Sequence, residues 1–293
     1  MAEIECLVEA KDILGEGVIW HPKERKLYWC DNLKSNIQTY DPATGAHEVF
    51  PMPEEVGCVV FREKHPGICA AMKSGFAFIH DLAKPEIEYI VDPESELDAN
   101  RMNDGKCDRR GRFWCGSMDA GLTEATASLY RFDPDLSCHK MDTDIICSNG
   151  IAWSPDNSVM YFSDTRKESL YAYDYDIETG SIANRRVIVD TSDQPFRIDG
   201  ATVDLDGNYW CALVHDWAIG KYDPSGTLLD RVELPVRQPT MCTFGGADLD
   251  VLYVVSATRF LEPGEAVKQP LAGALFAITG TGATGILEPY FAG

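Results

Sequence analysis

The chain has 293 residues, of which 45% are hydrophobic, and its 26 basic and 47 acidic side chains give a formal net charge of −21. This composition excludes an intrinsically disordered chain, because the apolar content is sufficient for a core. The acidity argues against a nucleic-acid partner, since such proteins neutralise phosphates with Lys and Arg. It also argues weakly against an anionic membrane surface as a partner.

Targeting and cysteine signals indicate the cellular compartment. No run of 18 uncharged apolar residues predicts a membrane-spanning helix. Residues 1–10 carry acids where a secretory signal would be basic and then apolar, so we expect no signal peptide. The ten cysteines contain no C-x-x-C pair, which disfavours a zinc cluster or a redox dithiol. We therefore expect buried, reduced cysteines in a cytoplasmic protein, with a periplasmic chain holding some disulfides as the alternative.

The predicted elements begin with residues 4–8, which alternate like a β-strand. A repeat follows: a polar residue, a glycine, an apolar stretch, a short turn, an aromatic strand and further strand residues. Four clear copies and two weaker ones start at residues 16, 57, 103, 149, 199 and 240. Their spacing of 41 to 50 residues is typical of four-stranded propeller blades, and helical periodicity is nearly absent.

These elements predict one all-β domain over residues 1–293. It is a six-bladed β-propeller with four-stranded antiparallel blades around a central channel. We expect the N-terminal strand to close the ring inside the last blade, beside residues 252–255 and 274–278. Such pairing would hide two sheet edges and fix both termini.

The residue that opens each repeat's innermost strand would lie near the channel. Those positions hold Glu16, Val56, Asn103, Asn149, Asp199 and Thr240. Carboxylate and amide oxygens that converge on one axis suit a hard divalent cation. Asn-Gly and Asp-Gly pairs are also common turn signals, so any single position could be only structural. Their recurrence in register favours a site.

The chain resembles the SMP-30/gluconolactonase (regucalcin-like) family of six-bladed lactonases. The resemblance covers essentially the whole chain and rests on an ordered set of motifs. They are LGEGVIW (14–20), NRMNDGK (100–106), SNGIAWSPD (148–156), IDG (198–200), CTFGG (242–246) and PLAGALF (270–276). Ile198 stands where the family usually has proline.

The resemblance implies one divalent metal held by Glu16, Asn149 and Asp199, with Asp199 also catalytic. It implies that Arg101 and Asn103 contact the substrate. Asp119, close to the Met of a family motif, is a further candidate for holding the sugar. The metal could be Ca, Zn, Mn, Mg or Fe(II), because oxygen ligands accept all of them. His215 is a candidate for the cavity mouth, whereas most tryptophans are expected in the core.

The implied function is metal-dependent hydrolysis of a sugar lactone, such as a glucono-, xylono- or arabinono-lactone, in carbohydrate catabolism. Two alternatives use the same metal: a calcium-binding regulatory protein and a promiscuous ester or phosphotriester hydrolase. Arg101 and Asn103 favour a substrate over a bare metal store. The expected partner is the small-molecule lactone, with the protein a monomer or a weak homodimer.

Overall fold

The computed structural model describes residues 2–293 and consists almost entirely of β-strands. Twenty-four strands form six antiparallel sheets of four strands each. The only α-helix among these residues is the short α1 (Glu265–Lys268), and none of their helices is long and apolar enough to cross a membrane.

Five blades are built from consecutive strands. Blade 1 contains β2 (Gly15–His21), β3 (Lys26–Asp31), β4 (Asn36–Asp41) and β5 (Ala46–Pro51). Blade 2 contains β6 (Val56–Phe61), β7 (Ile68–Met72), β8 (Gly75–Ile79) and β9 (Ile87–Val91). Blade 3 contains β10 (Asn100–Cys107), β11 (Phe113–Asp119), β12 (Ala127–Phe132) and β13 (Cys138–Ile145). Blade 4 contains β14 (Ser148–Trp153), β15 (Val159–Asp164), β16 (Ser169–Asp176) and β17 (Ser181–Asp190). Blade 5 contains β18 (Arg197–Val203), β19 (Tyr209–Val214), β20 (Ala218–Tyr222) and β21 (Leu228–Glu233).

The sixth blade confirms the predicted closure of the ring. It contains β22 (Pro239–Gly245), β23 (Val251–Ser256), β24 (Leu275–Thr279) and the N-terminal strand β1 (Glu3–Val8). The outer strand β1 pairs antiparallel with β24, with Ile4 opposite Ile278. Each innermost strand contacts the innermost strands of both neighbours, and β22 contacts β2. The propeller therefore has six blades in a closed circle.

Burial follows the position of each strand in its blade. The innermost strand β6 is buried along its whole length, whereas the outer strand β5 is mostly exposed. Six apolar clusters fill the spaces between neighbouring blades. Trp29, Trp114 and Trp210 are among the largest fully buried side chains, which confirms the core role expected for most tryptophans.

The C-terminal segment covers one end of the channel. Phe291 pairs with Arg62, just beyond β6, and Gly285 pairs with Asp204, just beyond β18. Between them, Glu288 accepts hydrogen bonds from Lys106 on β10 and from a residue on β18. The innermost strands end on this side of the ring. A ligand that reaches the axis therefore enters from the other side, where these strands begin.

Candidate functional site

The polar residues singled out in the sequence lie at the open end of the channel. Glu16, Asn103, Asn149 and Asp199 are all at or near the start of an innermost strand. In each of these four strands the pairing register shifts next to the polar residue. Such β-bulges turn a side chain away from its regular direction. The repeat thus aims one polar side chain from each of these blades at the same cavity.

Glycines permit this backbone path. Gly17 and Gly150, which follow Glu16 and Asn149, have φ values of 60° and 61°. Side-chain-bearing residues rarely adopt this left-handed conformation, whereas glycine does so readily. The recurring polar-Gly pair is therefore needed for the bulge as well as for the site.

The cavity contains about 540 Å³ of space, including its open mouth. Its lining combines the expected residues with several that come from loops. The lining residues are Leu14, Glu16, Arg101, Asn103, Met118, Leu122, Cys147, Asn149, Thr165, Arg166, Arg197, Asp199, Val214, His215, Arg259 and Phe260.

Asp199 is the most unusual acid in the cavity. Its side chain is buried, and Oδ1 has no hydrogen-bond partner within residues 2–293. Burial raises the pKa of Asp199 well above its usual value, and the charge of Asp104 raises it further. A buried carboxylate without donors is unfavourable unless a ligand or a cation compensates it. Asp199 Oδ1 is therefore available to bind a cation or another ligand.

Glu16 shares this environment. Burial is the main cause that raises the pKa of Glu16 well above its usual value, and the charges of Asp199 and Asp104 contribute. Arg101 and Arg259 act in the opposite direction. Like charges in one buried site repel each other, so a bound cation would stabilise both carboxylates.

Asn149 is held in a defined orientation. Its Nδ2 donates to Thr165 Oγ1 at 2.8 Å, and Thr165 Oγ1 donates to the Ile198 carbonyl at 2.9 Å. Its Oδ1 accepts from Asn103 Nδ2 at 3.1 Å. Because the amide nitrogen is used by Thr165, the amide oxygen remains as the available ligand atom.

Glu16, Asn149 and Asp199 together fit a divalent cation. They supply two carboxylates and one amide oxygen from three strands, and one carboxylate oxygen lacks any donor. Hard cations prefer this set of oxygen ligands. Within residues 2–293 no three His, Cys, Asp or Glu side chains are grouped for metal binding, so the set depends on the Asn149 amide.

Arg101 and Asn103 lie beside these residues and are linked to each other. Arg101 Nη1 donates to Asn103 Oδ1 at 2.9 Å, and Arg101 Nε pairs with Glu55 at 3.2 Å. Arg101 Nη2 is buried and has no partner among the residues that the structure describes. Asn103 Nδ2 donates to the Ser148 carbonyl at 2.8 Å. The guanidinium is thus fixed in place with one donor nitrogen left for a ligand.

Asp119 is placed differently from the expectation. It does not line the cavity, and its carboxylate accepts the backbone N–H groups of Gly121, Thr123 and Glu124 at 2.9 to 3.1 Å. These N–H groups, with Glu124 first, hold the pKa of Asp119 below its usual value. Its carboxylate is used to shape its own loop, so the structure does not support it as a substrate contact.

Sequence reasoning overlooked several residues of the site. Asp104 is buried, its Oδ1 has no partner within residues 2–293, and burial raises its pKa. It does not line the cavity, but its charge raises the pKa of Glu16 and Asp199. Its place in the N-D-G motif was a signal that could have identified it. Arg166, Arg197 and Arg259 line the cavity without any motif that marks them. His215, expected as a candidate at the mouth, does line the cavity.

The chain is similar to known proteins over its whole length. A 6-deoxy-6-sulfogluconolactonase from Pseudomonas putida is 35% identical over 291 residues, which covers 99% of each chain. A regucalcin from Danio rerio is 34% identical over 98% of this chain and 97% of its own. The solved structure of a luciferin-regenerating enzyme has a TM-score of 0.94 at 31% identity, with both chains fully covered. Residues 14–258 match the SMP-30/Gluconolactonase/LRE-like region. The chain therefore belongs to the SMP-30/gluconolactonase family.

Proposed function

We propose that this protein is a metal-dependent lactonase that hydrolyses an aldonolactone to the aldonic acid. The observation that carries the proposal is Asp199, a buried acid whose Oδ1 lacks any donor, beside Glu16 and Asn149. The family membership and the lactonase among its relatives support the same reaction class.

A divalent cation held by Glu16, Asn149 and Asp199 would polarise the ester carbonyl as a Lewis acid and stabilise the oxyanion. The all-oxygen ligand set is compatible with Ca, Mg, Mn, Zn or Fe(II).

The chain's own residues position the substrate and move the proton. Asp199 accepts a proton from the water that attacks the carbonyl carbon. The ring C–O bond then breaks, and the proton passes to the ring oxygen, which leaves as a hydroxyl on the open-chain acid. Arg101 Nη2 is the free donor that can hold a substrate oxygen, and Asn103 fixes the direction of the guanidinium.

The lining suits a polyhydroxylated ring better than a long apolar chain. Arg101 and Asn103 bring fixed polar groups to one side of the cavity, while Met118 and Leu122 supply apolar contacts on its wall. A calcium-binding regulatory protein would need the cation ligands but not an oriented guanidinium. We therefore favour the enzyme.

The test measures proton release at constant pH from a panel of aldonolactones. Metal-stripped protein and protein restored with each divalent ion are compared after subtraction of spontaneous hydrolysis. The variants are Asp199→Asn and, as a matched control, Asp206→Asn, an exposed acid in the turn after β18. We expect metal-dependent turnover by the wild-type protein and by Asp206→Asn but not by Asp199→Asn.

Two results would contradict the proposal. If stripped protein hydrolyses lactones as fast as restored protein, the reaction is not metal-dependent. If the protein binds a cation tightly but hydrolyses no lactone, the regulatory alternative replaces the enzyme.

A further inference from the structure

Arginines outnumber carboxylates in the cavity lining, although the protein is strongly acidic. The chain has a net charge of −21, yet four arginines line the cavity against two carboxylates. Those carboxylates, Glu16 and Asp199, are already assigned to the cation. Arg101 is assigned to the lactone ring. The remaining arginines have no role in the hydrolysis described above.

Two of these arginines and one histidine meet at the same side of the mouth. Arg166 follows β15, Arg197 opens β18 and His215 follows β19. Ser148 pairs with Asp164, and Arg197 pairs with Val214. These pairings put the loops after β15 and β19 at the ends where β14 and β18 begin. All three side chains therefore stand above the Asp199 end of the cavity.

The two arginines retain donors that the protein does not use. Arg166 is exposed at the cavity mouth, and its Nε donates to the Leu122 carbonyl at 3.2 Å, which leaves its two Nη atoms free to meet a ligand. Arg197 Nη2 pairs with Glu168 at 2.6 Å, but Arg197 Nε is buried without a partner. Arginine offers only donors. The pair is therefore suited to a group that only accepts hydrogen bonds.

His215 adds a third donor at this place. Gln238 Nε2 donates to His215 Nδ1 at 2.9 Å, which leaves Nε2 to carry the proton. Burial lowers the pKa of His215, and the charges of Arg237, Arg197 and Arg166 lower it further. Its backbone has a φ of 75°, which is uncommon for a residue with a side chain. Strain of this kind accumulates where a functional side chain must be placed.

We propose that Arg166, Arg197 and His215 bind an anionic substituent of the substrate, so that the preferred lactone carries a sulfonate, phosphate or carboxylate. The proposal rests on the lactonase function proposed above. Guanidinium groups bind such anions through charge-assisted, often paired, hydrogen bonds. A neutral sugar offers hydroxyls that both donate and accept, and three donor-only groups match it poorly.

The geometry also indicates which carbon of the lactone carries the anionic group. Arg197 and Asp199 are two residues apart on β18, and both line the cavity. Two strand residues span about 7 Å, so a lactone with its carbonyl at Asp199 reaches Arg197 through a substituent that extends beyond the ring. The exocyclic carbon of the sugar is the carbon that carries such an extension. The charged group belongs on that carbon.

The test compares three gluconolactones that differ only at carbon 6, which carries a hydroxyl, a phosphate or a sulfonate. A lactone with a carboxylate at that carbon completes the set. We expect kcat/KM for at least one anionic lactone to exceed that for the neutral one by 10-fold or more. The order among the three anions identifies the chemical source of the charge.

Variants assign the preference to these residues. We expect Arg166→Gln to lower the ratio of anionic to neutral kcat/KM by about 10-fold, and Arg166→Gln/Arg197→Gln to lower it further. The single variant keeps the Arg197–Glu168 pair, so it stays informative if the double variant does not fold. The matched control is Arg186→Gln, an exposed arginine on β17 that pairs with Asp174, which should keep the wild-type ratio.

A binding measurement separates this proposal from the proposed reaction. Titration calorimetry with gluconate and 6-phosphogluconate needs no turnover. Tighter binding of the phosphorylated acid, lost in Arg166→Gln, supports the anion subsite even if no lactone is hydrolysed. The subsite is contradicted if all lactones are hydrolysed at equal rates and the variants change neither the ratio of anionic to neutral kcat/KM nor the ratio of affinities for 6-phosphogluconate and gluconate. The proposed lactonase function is unaffected by that result. An equal loss on neutral and anionic lactones also contradicts the subsite.

Discussion

Two buried aspartates on one strand illustrate different uses of the same side chain. Asp199 lies near the start of β18, and Asp204 directly follows its end. Asp204 accepts hydrogen bonds from the Asn208 backbone N–H and from Trp210 Nε1, both at 2.8 Å. Asp199 Oδ1 accepts none from residues 2–293. Both acids are buried, and the structural acid differs from the candidate catalytic one in its hydrogen-bond donors and in the Lys221 ammonium 3.7 Å from its Oδ2.

Blade 3 shows the same contrast between an aspartate with hydrogen-bond donors and one that lacks a donor to one oxygen. Asp108, directly after β10, accepts from the Arg110 backbone N–H at 2.8 Å and from Trp114 Nε1 at 2.9 Å. Asp104, within the same strand, keeps an oxygen without a donor. Asp108 and Asp204, at the closed end of the channel, thus anchor tryptophans, whereas Asp104 and Asp199 each keep one oxygen without a donor from residues 2–293. Because a buried polar group is normally paired, the unpaired ones indicate where a ligand belongs.

The largest effect is expected from Asp199→Asn. Loss of a cation ligand and of the proton acceptor should lower kcat/KM for the best lactone by at least about 10³-fold. Removal of an uncompensated buried charge should leave the free energy of unfolding of metal-free protein unchanged or raise it by about 1 kcal/mol. Proton release and urea unfolding measure the two quantities. An active variant of lowered stability would place Asp199 with the structural acids.

Asp204→Asn should lower stability and leave activity intact, the opposite of Asp199→Asn. An amide there puts a donor against either the Asn208 N–H or Trp210 Nε1, so one buried donor loses its acceptor. We expect the free energy of unfolding to fall by about 3 kcal/mol, with kcat/KM of the folded protein close to wild type. Urea unfolding and proton release on the folded fraction check this. Wild-type stability would show that donor supply does not separate the two acids.

Asp12 is intermediate between Asp199 and Asp204 in the number of hydrogen-bond donors that reach its carboxylate. It is buried and accepts hydrogen bonds from only two side chains, Gln38 Nε2 at 2.7 Å and Trp29 Nε1 at 2.9 Å. Burial raises the pKa of Asp12 to about 7, although both hydrogen bonds oppose the shift. Two side-chain donors therefore do not offset the cost of burying the Asp12 charge.

This pKa makes stability depend on pH. The folded protein holds the proton of Asp12 more tightly than the unfolded chain, whose aspartate titrates near pH 4. The stabilisation is thus complete below pH 4 and is lost as the pH rises through about 7. Between pH 5 and pH 6.5, ionisation of Asp12 should lower the free energy of unfolding of the wild-type protein by about 2 kcal/mol. The Asp12→Asn variant should lack this part of the decrease. Urea unfolding of both proteins across this range measures the difference, and parallel profiles would contradict it.

Much of the fold and part of the site follow from the sequence because they repeat. Polar-Gly pairs mark the innermost strands of blades 1, 3, 4 and 5, and the bulge beside the pair explains why Glu16, Asn149 and Asp199 reach one cavity. Closure by the N-terminal strand follows from alternation in residues 4–8 and from the incomplete last blade.

The rest of the site lies outside the repeat. Arg166, Arg197 and His215 come from loop and strand ends of two different blades, and only the closed ring brings them together. No local spacing marks them. The number of hydrogen-bond donors around Asp199 and Asp204 likewise depends on how neighbouring strands and turns pack. The sequence alone does not show it.

Asp119 stays a prediction as a substrate contact, but its place in the repeat indicates a role in shaping its loop. Three second strands end in aspartate: β3 at Asp31, β11 at Asp119 and β15 at Asp164. Asp31 accepts the backbone N–H of Leu14, and Asp164 accepts that of Cys147, so both hold the loops that lead into the site strands. The register thus groups Asp119 with residues that shape loops.

Asp119→Asn should therefore have the smallest effect of the series. The amide keeps one acceptor for the N–H groups of Thr123 and Glu124 and loses the other. We expect the free energy of unfolding to fall by about 1 kcal/mol and KM for the lactone to change less than threefold. Urea unfolding and lactone kinetics measure both, with Asp164→Asn as the matched loop variant. A large rise in KM without loss of stability would return Asp119 to the substrate site, because a residue that shapes the loop carrying Leu122 should lose loop hydrogen bonds, and so stability, before binding weakens.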